Sequence, residues 1–178
     1  MVSPKSPDYV KLFTGILTSF PELIPACEHD LSDLFGPIDF RSETFPFDGT
    51  NYYDAEMGPG ILRCFLSFTR LIDPGALAAI KLQTNNLEFK FTESGNRKIN
   101  YDPGYLDFHK VVLASGKFGG PKIYLSQGIY ADMTLRYLDG EFLPLDWGFP
   151  DFRSGLYNDV FMKIRRLYKE NLKSLNKQ

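Results

Sequence analysis

Lys110 stands among apolar neighbours. At a strand period of two, Leu106, Phe108, Lys110, Val112 and Ala114 share one face of a strand expected over 105–115. An ammonium on a buried face needs a partner or a ligand. So placed, Lys110 binds a phosphate or carboxylate, with desolvation lowering its pKa toward catalytic use. The competing reading pairs it with a buried acid or lets it snorkel to an open sheet edge. His109 lies on the opposite face with Tyr105, Asp107, Val111, Leu113 and Ser115. Its imidazole titrates near neutrality and is a candidate general base. No Ser or Cys nucleophile is tied to it by spacing, and a hydrogen-bonded structural histidine is the plainer reading. Along 130–137, Tyr130, Asp132, Thr134 and Arg136 line one face, with Ala131, Met133, Leu135 and Tyr137 on the other. Asp132 is the third catalytic candidate, a partner for Lys110 or His109. Lys110, Tyr130 and Arg136 are candidate ligand contacts, unless that polar face simply meets water.

Two loops concentrate rings and acids. Segment 45–57 carries Asp48, Tyr52, Tyr53, Asp54 and Glu56; segment 145–154 carries Asp146, Trp147, Phe149, Asp151, Phe152 and Arg153. Rings beside carboxylates suit a sugar, a nucleobase or a cation, so Tyr53, Trp147 and Arg153 join the ligand-binding candidates. Alternatively the rings fold back as lids over the core. No acid pair has the spacing of a known metal loop, and no metal site is assigned. Gly116-Lys117-Phe118-Gly119-Gly120 lacks the Lys-Ser/Thr ending and following helix of a phosphate loop.

The elements that must position these residues follow from pattern. A strand is expected over 9–17. A helix follows Pro21, with Leu23, Cys27, Leu31 and Leu34 at helical spacing up to Gly36-Pro37. Strands over 38–45 and 61–71 flank the first loop. Asp73 caps a helix with Pro74 in its first turn and Leu77, Ile80, Thr84 and Leu87 on its stripe. Asn100 to Gly104 reads as a turn leading into 105–115. Short strands at 122–125, 130–137 and 141–143 follow, the last two joined at Asp139-Gly140, and a helix closes the chain over 155–177. The expected class is α+β: a ferredoxin-like β-α-β-β-α-β start extended by an antiparallel β-meander and a C-terminal helix. Residues 1–8 read as a disordered arm and 9–178 as a single domain.

Composition narrows the function classes. A formal net charge of −2 over 178 residues supplies no field for a polyanion, so no DNA partner is expected. No apolar run reaches the length of a membrane span, and no basic segment followed by an apolar run opens the chain. Two cysteines and two histidines leave no basis for structural zinc; free thiols in a cytoplasmic protein are expected.

Several short runs carry a resemblance. Glu56-Met57-Gly58-Pro59-Gly60, Leu71-Ile72-Asp73-Pro74, Asp102-Pro103-Gly104-Tyr105-Leu106, Lys110-Val111-Val112-Leu113-Ala114-Ser115, Gly128-Ile129-Tyr130-Ala131 and Trp147-Gly148-Phe149-Pro150-Asp151-Phe152-Arg153-Ser154 stand in order. They resemble those of a microbial (prokaryotic) family of uncharacterised proteins, domain of unknown function 4416, over about 10–168. The resemblance implies one intact domain, with no family activity or cofactor to carry over.

Three functional readings follow. The first is a small anionic ligand, phosphate or carboxylate bearing, in a cleft beside strands 105–115 and 130–136, with enzymatic chemistry as an option. The second is a non-catalytic protein or RNA interaction module using loops 45–57 and 145–154 and the basic last helix. The third is a homo-oligomer built through sheet edges and that helix.

Overall fold

The computed structural model describes residues 2–48, 53–175 and 177. Along the chain run β1 (Val10–Thr18), α1 (Ile24–Phe35), β2 (Ile38–Arg41), β3 (Phe45–Pro46), α2 (Asp54–Met57), β4 (Leu62–Ile72) and α3 (Leu77–Glu88). They are followed by β5 (Thr92–Glu93), β6 (Asn96–Arg97), β7 (Asn100–Leu106), β8 (Lys110–Ser115), β9 (Ile123–Ser126), β10 (Ile129–Leu138), β11 (Glu141–Pro144), α4 (Pro150–Arg153) and α5 (Asn158–Leu175). The chain is α+β. Its main sheet runs β11-β10-β8-β7-β1-β4-β2, with β3 added to β4 and β9 to β10, and every pairing is antiparallel. The segment β7-β1-β4-β2 has the 4-1-3-2 strand order of the β-α-β-β-α-β start, and β8, β10 and β11 are the meander that extends it. Residues 2–9 are exposed and carry no regular structure.

Both faces of the sheet are covered, so an interior strand such as β1 is buried on both sides. All nine residues of β1 are buried. Leu12 and Ile16 pack with Ile24, Cys27, Leu31 and Phe35 of α1 and Ile80 of α3. Phe13 faces the other way, against Phe161 and Ile164 of α5. That second core explains the high aromatic content. Phe65 of β4 is ringed by Tyr157, Phe161, Phe152 and Phe13, at centroid distances of 4.8, 5.3, 6.3 and 6.4 Å. The pairs with Tyr157, Phe161 and Phe152 are edge-to-face, an arrangement that adds about 0.5–1.5 kcal/mol each beyond the area buried. Lys11 shares this face and is fully buried; its ammonium bonds Asp39, the Phe68 carbonyl (2.6 Å) and Asn171 Oδ1 (2.5 Å), tying β1 to β2 and α5. As expected, Asp73 caps the approach to α3: its Oδ1 accepts the Gly75 N–H at 2.7 Å over a 3-10 turn holding Pro74.

Four local expectations are corrected. The strand over 105–115 is two strands joined by a tight turn at 107–109, and the supposed turn at 100–104 lies inside β7. The turn forms because Asp107 Oδ1 accepts the backbone N–H groups of His109 (2.8 Å) and Lys110 (2.9 Å). Leu106 therefore pairs across the ladder with Val111 rather than lining one strand with Lys110. Gly104 sits mid-strand because nothing larger fits: a Cβ there would stand 2.4 Å from the Val112 carbonyl oxygen and 2.6 Å from Phe13 Cζ. Second, a bulge between Met133 and Leu135 breaks the alternation of β10. Asp132 and Thr134 are buried while Met133 is partly exposed. Third, 38–45 divides into β2 and β3, both on β4. Finally, both aromatic loops contain one-turn helices, α2 and α4, and the last helix begins at Asn158. Tyr52 lies outside the described residues.

Candidate functional site

β7 and β8 pair only from Gly104↔Leu113 to Leu106↔Val111. The ladder stops one residue short of Pro103, which has no N–H to donate. Beyond it β7 continues on β1 while β8 continues on β10. A cavity of about 610 Å³ opens where these strands diverge. α3 supplies Lys81 and Asn85, one helical turn apart and hence on one face. β4 supplies Arg63, β7 Asn100 and Asp102, β8 Ser115, and β10 Asp132. Arg97, Lys117, Lys122 and Asp151 complete the charged wall, and Phe47, Tyr53 and Phe149 bring rings to it.

Among the described residues the wall holds the cations Arg63, Lys81, Arg97, Lys117 and Lys122 and the carboxylates Asp102, Asp132 and Asp151, with Glu56 and Glu88 paired to Arg97 behind it. A hydrogen-bonded network fixes one side of it. Arg63 bonds Asp102 at 2.7 Å and also Asp151, whose carboxylate accepts the Tyr157 hydroxyl at 3.0 Å. Asn100 donates to Asp102 Oδ1 at 3.0 Å and accepts from Arg97 at 3.2 Å. Arg97 reaches outward to Glu56 (2.6 Å) and inward to the buried Glu88 (2.6 Å). Arg63 is 5% exposed, its guanidinium lies 4.6 Å from the centre of the Phe47 ring, and its Nε–H is buried without an acceptor among the described residues. Burial alone would push its proton affinity down; Asp102 and Asp151 more than offset this and hold it cationic.

Lys81 differs from the other cations. It is 7% exposed, and its ammonium donates to one acceptor among the described residues, the Tyr101 carbonyl at 2.5 Å, with no carboxylate in ion-pair contact. Asn85 is half-buried beside it, with no side-chain hydrogen bond among the described residues. On the far wall, Lys122 reaches Ser115 Oγ at 2.9 Å and Asp132 at 3.4 Å. Burial pushes the Asp132 carboxyl above the ordinary carboxylate range, with Lys122 acting against it. Glu88 is raised for the same reason, opposed by Lys81, the Tyr101 N–H and Arg97. Glu56 is held below its usual value by the Arg97 hydrogen bond.

The residues singled out in the sequence divide between two ends of the sheet. Asp132 and Tyr53 line the cavity. Lys110, His109 and Arg136 lie at the other end of the β8–β10 ladder, where Lys110 is opposite Arg136 and bonds Asp107. His109 is exposed in the 107–109 turn, and its carbonyl accepts the Tyr137 N–H at 2.7 Å. Tyr130 is half-buried against Phe118 and Tyr124, at 5.8 and 5.3 Å between ring centres. Trp147 and Arg153 are exposed and do not line the cavity. Arg63 and Lys81 are not among the sequence candidates, although each carries the same signal as Lys110, a cation beside apolar positions. Arg63 shares a face with Phe65 on an apolar strand, and Lys81 lies one turn from Leu77 beside the apolar stripe of α3.

Among the described residues no helix is long and apolar enough to cross a membrane, and no cluster of His, Cys, Asp and Glu could hold a metal ion. No match to the chain is found among curated proteins or among solved structures. A family described as domain of unknown function (DUF4416) matches residues 8–168, nearly the whole chain, and this protein belongs to it.

Proposed function

We propose that the cavity beside β8 and β10 binds a small ligand bearing a phosphate or carboxylate. Lys81 carries the reading. A buried ammonium with a single carbonyl partner is costly, and an oxyanion would satisfy its remaining N–H groups. The adjacent Asn85 amide supports the same ligand class. Lys110, His109 and Arg136, at the opposite end of the ladder, have no part in it. Thermal denaturation with inorganic phosphate, phosphate esters and small carboxylates tests the reading. At about a hundredfold excess over Kd a bound ligand adds roughly 2.7 kcal/mol, or about 5–11 °C in Tm for a chain of this size. The shift is expected in wild type and absent in a folded Lys81→Met variant. A uniform lack of response, or an equal shift in Lys81→Met, refutes it.

A further inference from the structure

We infer that the ligand is a hydroxylated oxyanion, with its phosphate or carboxylate head on Lys81 and Asn85 of α3 and its hydroxyl groups on Asp132 of β10. The inference rests on the anion reading above and adds what the rest of the molecule must look like. Of the three carboxylates in the wall, Asp102 and Asp151 are both engaged by Arg63. Among the described residues Asp132 has one charged partner, Lys122 at 3.4 Å, although a carboxylate can accept about four hydrogen bonds. Its side chain is 6% exposed and lines the cavity, so its remaining acceptor positions are within reach of a ligand there. A second oxyanion placed there would be repelled. An ammonium would meet Lys122, whose Nζ occupies the same neighbourhood. Uncharged donors remain, and hydroxyl groups are the smallest that satisfy a carboxylate without charge conflict.

The rings point the same way. Phe47 carries Arg63 over one face at 4.6 Å, and Phe149 carries Lys122 at 5.6 Å from its centre. Lys117 lies 5.6 Å from the centre of Tyr53. Rings arranged in this way orient cations and surround them with apolar surface, so the wall addresses a ligand through charge and hydrogen bonds more than through stacking. A phosphorylated polyol and a sugar acid share the required chemistry.

Isothermal titration tests the inference with matched pairs: propyl phosphate against glycerol 3-phosphate, and butyrate against 3,4-dihydroxybutyrate. In wild type the hydroxylated member is expected to bind about 10- to 100-fold more tightly, the range for a hydrogen bond to a charged group. Asp132→Ala should abolish that preference while leaving propyl phosphate or butyrate at wild-type affinity or better. Asp132→Asn, which keeps a neutral acceptor, should retain part of it and guards against a folding defect in the alanine variant. Which pair shows the preference tells a phosphorylated polyol from a sugar acid. Equal affinities within both pairs in wild type, or a preference that survives both Asp132 substitutions, overturns the inference. Lys81-dependent binding without hydroxyl preference would leave the anion reading standing alone, whereas no binding by any of the four compounds ends both.

Discussion

Arg63→Met should destabilise the protein through the two carboxylates it leaves behind. Asp151 and Asp102 have side chains 8% and 22% exposed, and both face the Arg63 guanidinium. Removing one partner from a buried ion pair costs about 3–5 kcal/mol, because an uncompensated charge stays in a poorly solvated place. Methionine fills similar volume and keeps contact with Phe47, Phe65, Phe152 and Tyr157, so the cavity penalty is small. One term runs the other way. The Arg63 Nε–H has no acceptor among the described residues, and its loss returns about 1–3 kcal/mol. The net expectation is about 0–4 kcal/mol, centred on about 2 kcal/mol, which for 150–250 residues is a Tm decrease of up to about 16 °C. Urea denaturation of the single variant, of Asp102→Asn/Asp151→Asn, and of the triple variant measures it. The triple variant should recover at least half of the loss, since replacing all members of a buried network by neutral groups is often tolerated. A single variant more stable than wild type, or no recovery in the triple variant, would show that the Arg63 cluster is far better solvated than its burial indicates.

Three further outcomes are expected. Gly104→Ala brings a methyl group to 2.4 Å from a backbone oxygen that cannot move aside, so it should cost at least about 1–3 kcal/mol by chemical denaturation. Asp132→Asn should raise Tm at pH 7.5 and not at pH 4. The folded-state proton affinity of Asp132 lies above its unfolded value, so its contribution is whole below the unfolded carboxyl range and lost as pH rises through the folded value. Superimposable Tm-versus-pH curves for the two proteins would contradict this. Burial pushes the thiols of Cys27 and Cys64 up to about 11 and about 12, so neither should react with a disulfide reagent at pH 8 until denaturant is added, when two equivalents should appear.

The sequence was most readable where pattern and topology agree. The β-α-β-β-α-β order, the Pro74 entry to α3 and the Asp139-Gly140 hairpin follow from local chemistry and periodicity. Asp107 and Gly104 show where that logic ended. Asp-Pro-Gly is an ordinary turn signal, yet at 102–104 it lies within β7 because Phe13, some ninety residues earlier, needs the space a side chain would fill. Asp107 makes a turn inside an apolar run by bonding two backbone N–H groups, and nothing in the alternation marks it. The bulge in β10 reversed the expected faces beyond Met133 in the same unmarked way. For the site, the rule that a cation on an apolar face needs a partner was sound, but choosing among such cations required the third dimension. Among the described residues Lys110 finds Asp107 three residues away, Lys11 finds three acceptors, and Lys81 finds one.

The placement of β1 has a consequence for the order in which the molecule assembles. Thr14 pairs with Leu66 on one side and Pro103 on the other, and Lys11 is held by Asn171. This interior strand is thus made before both of its neighbours, and its second ladder partner follows about ninety residues later. At roughly 5–20 residues per second of synthesis, that interval is about 5–20 s. Throughout it, an apolar segment suited to strand pairing has at most half of its final neighbours. Refolding dominated by such distant pairings should be slow for a chain of this size, and the yield should fall as protein concentration rises.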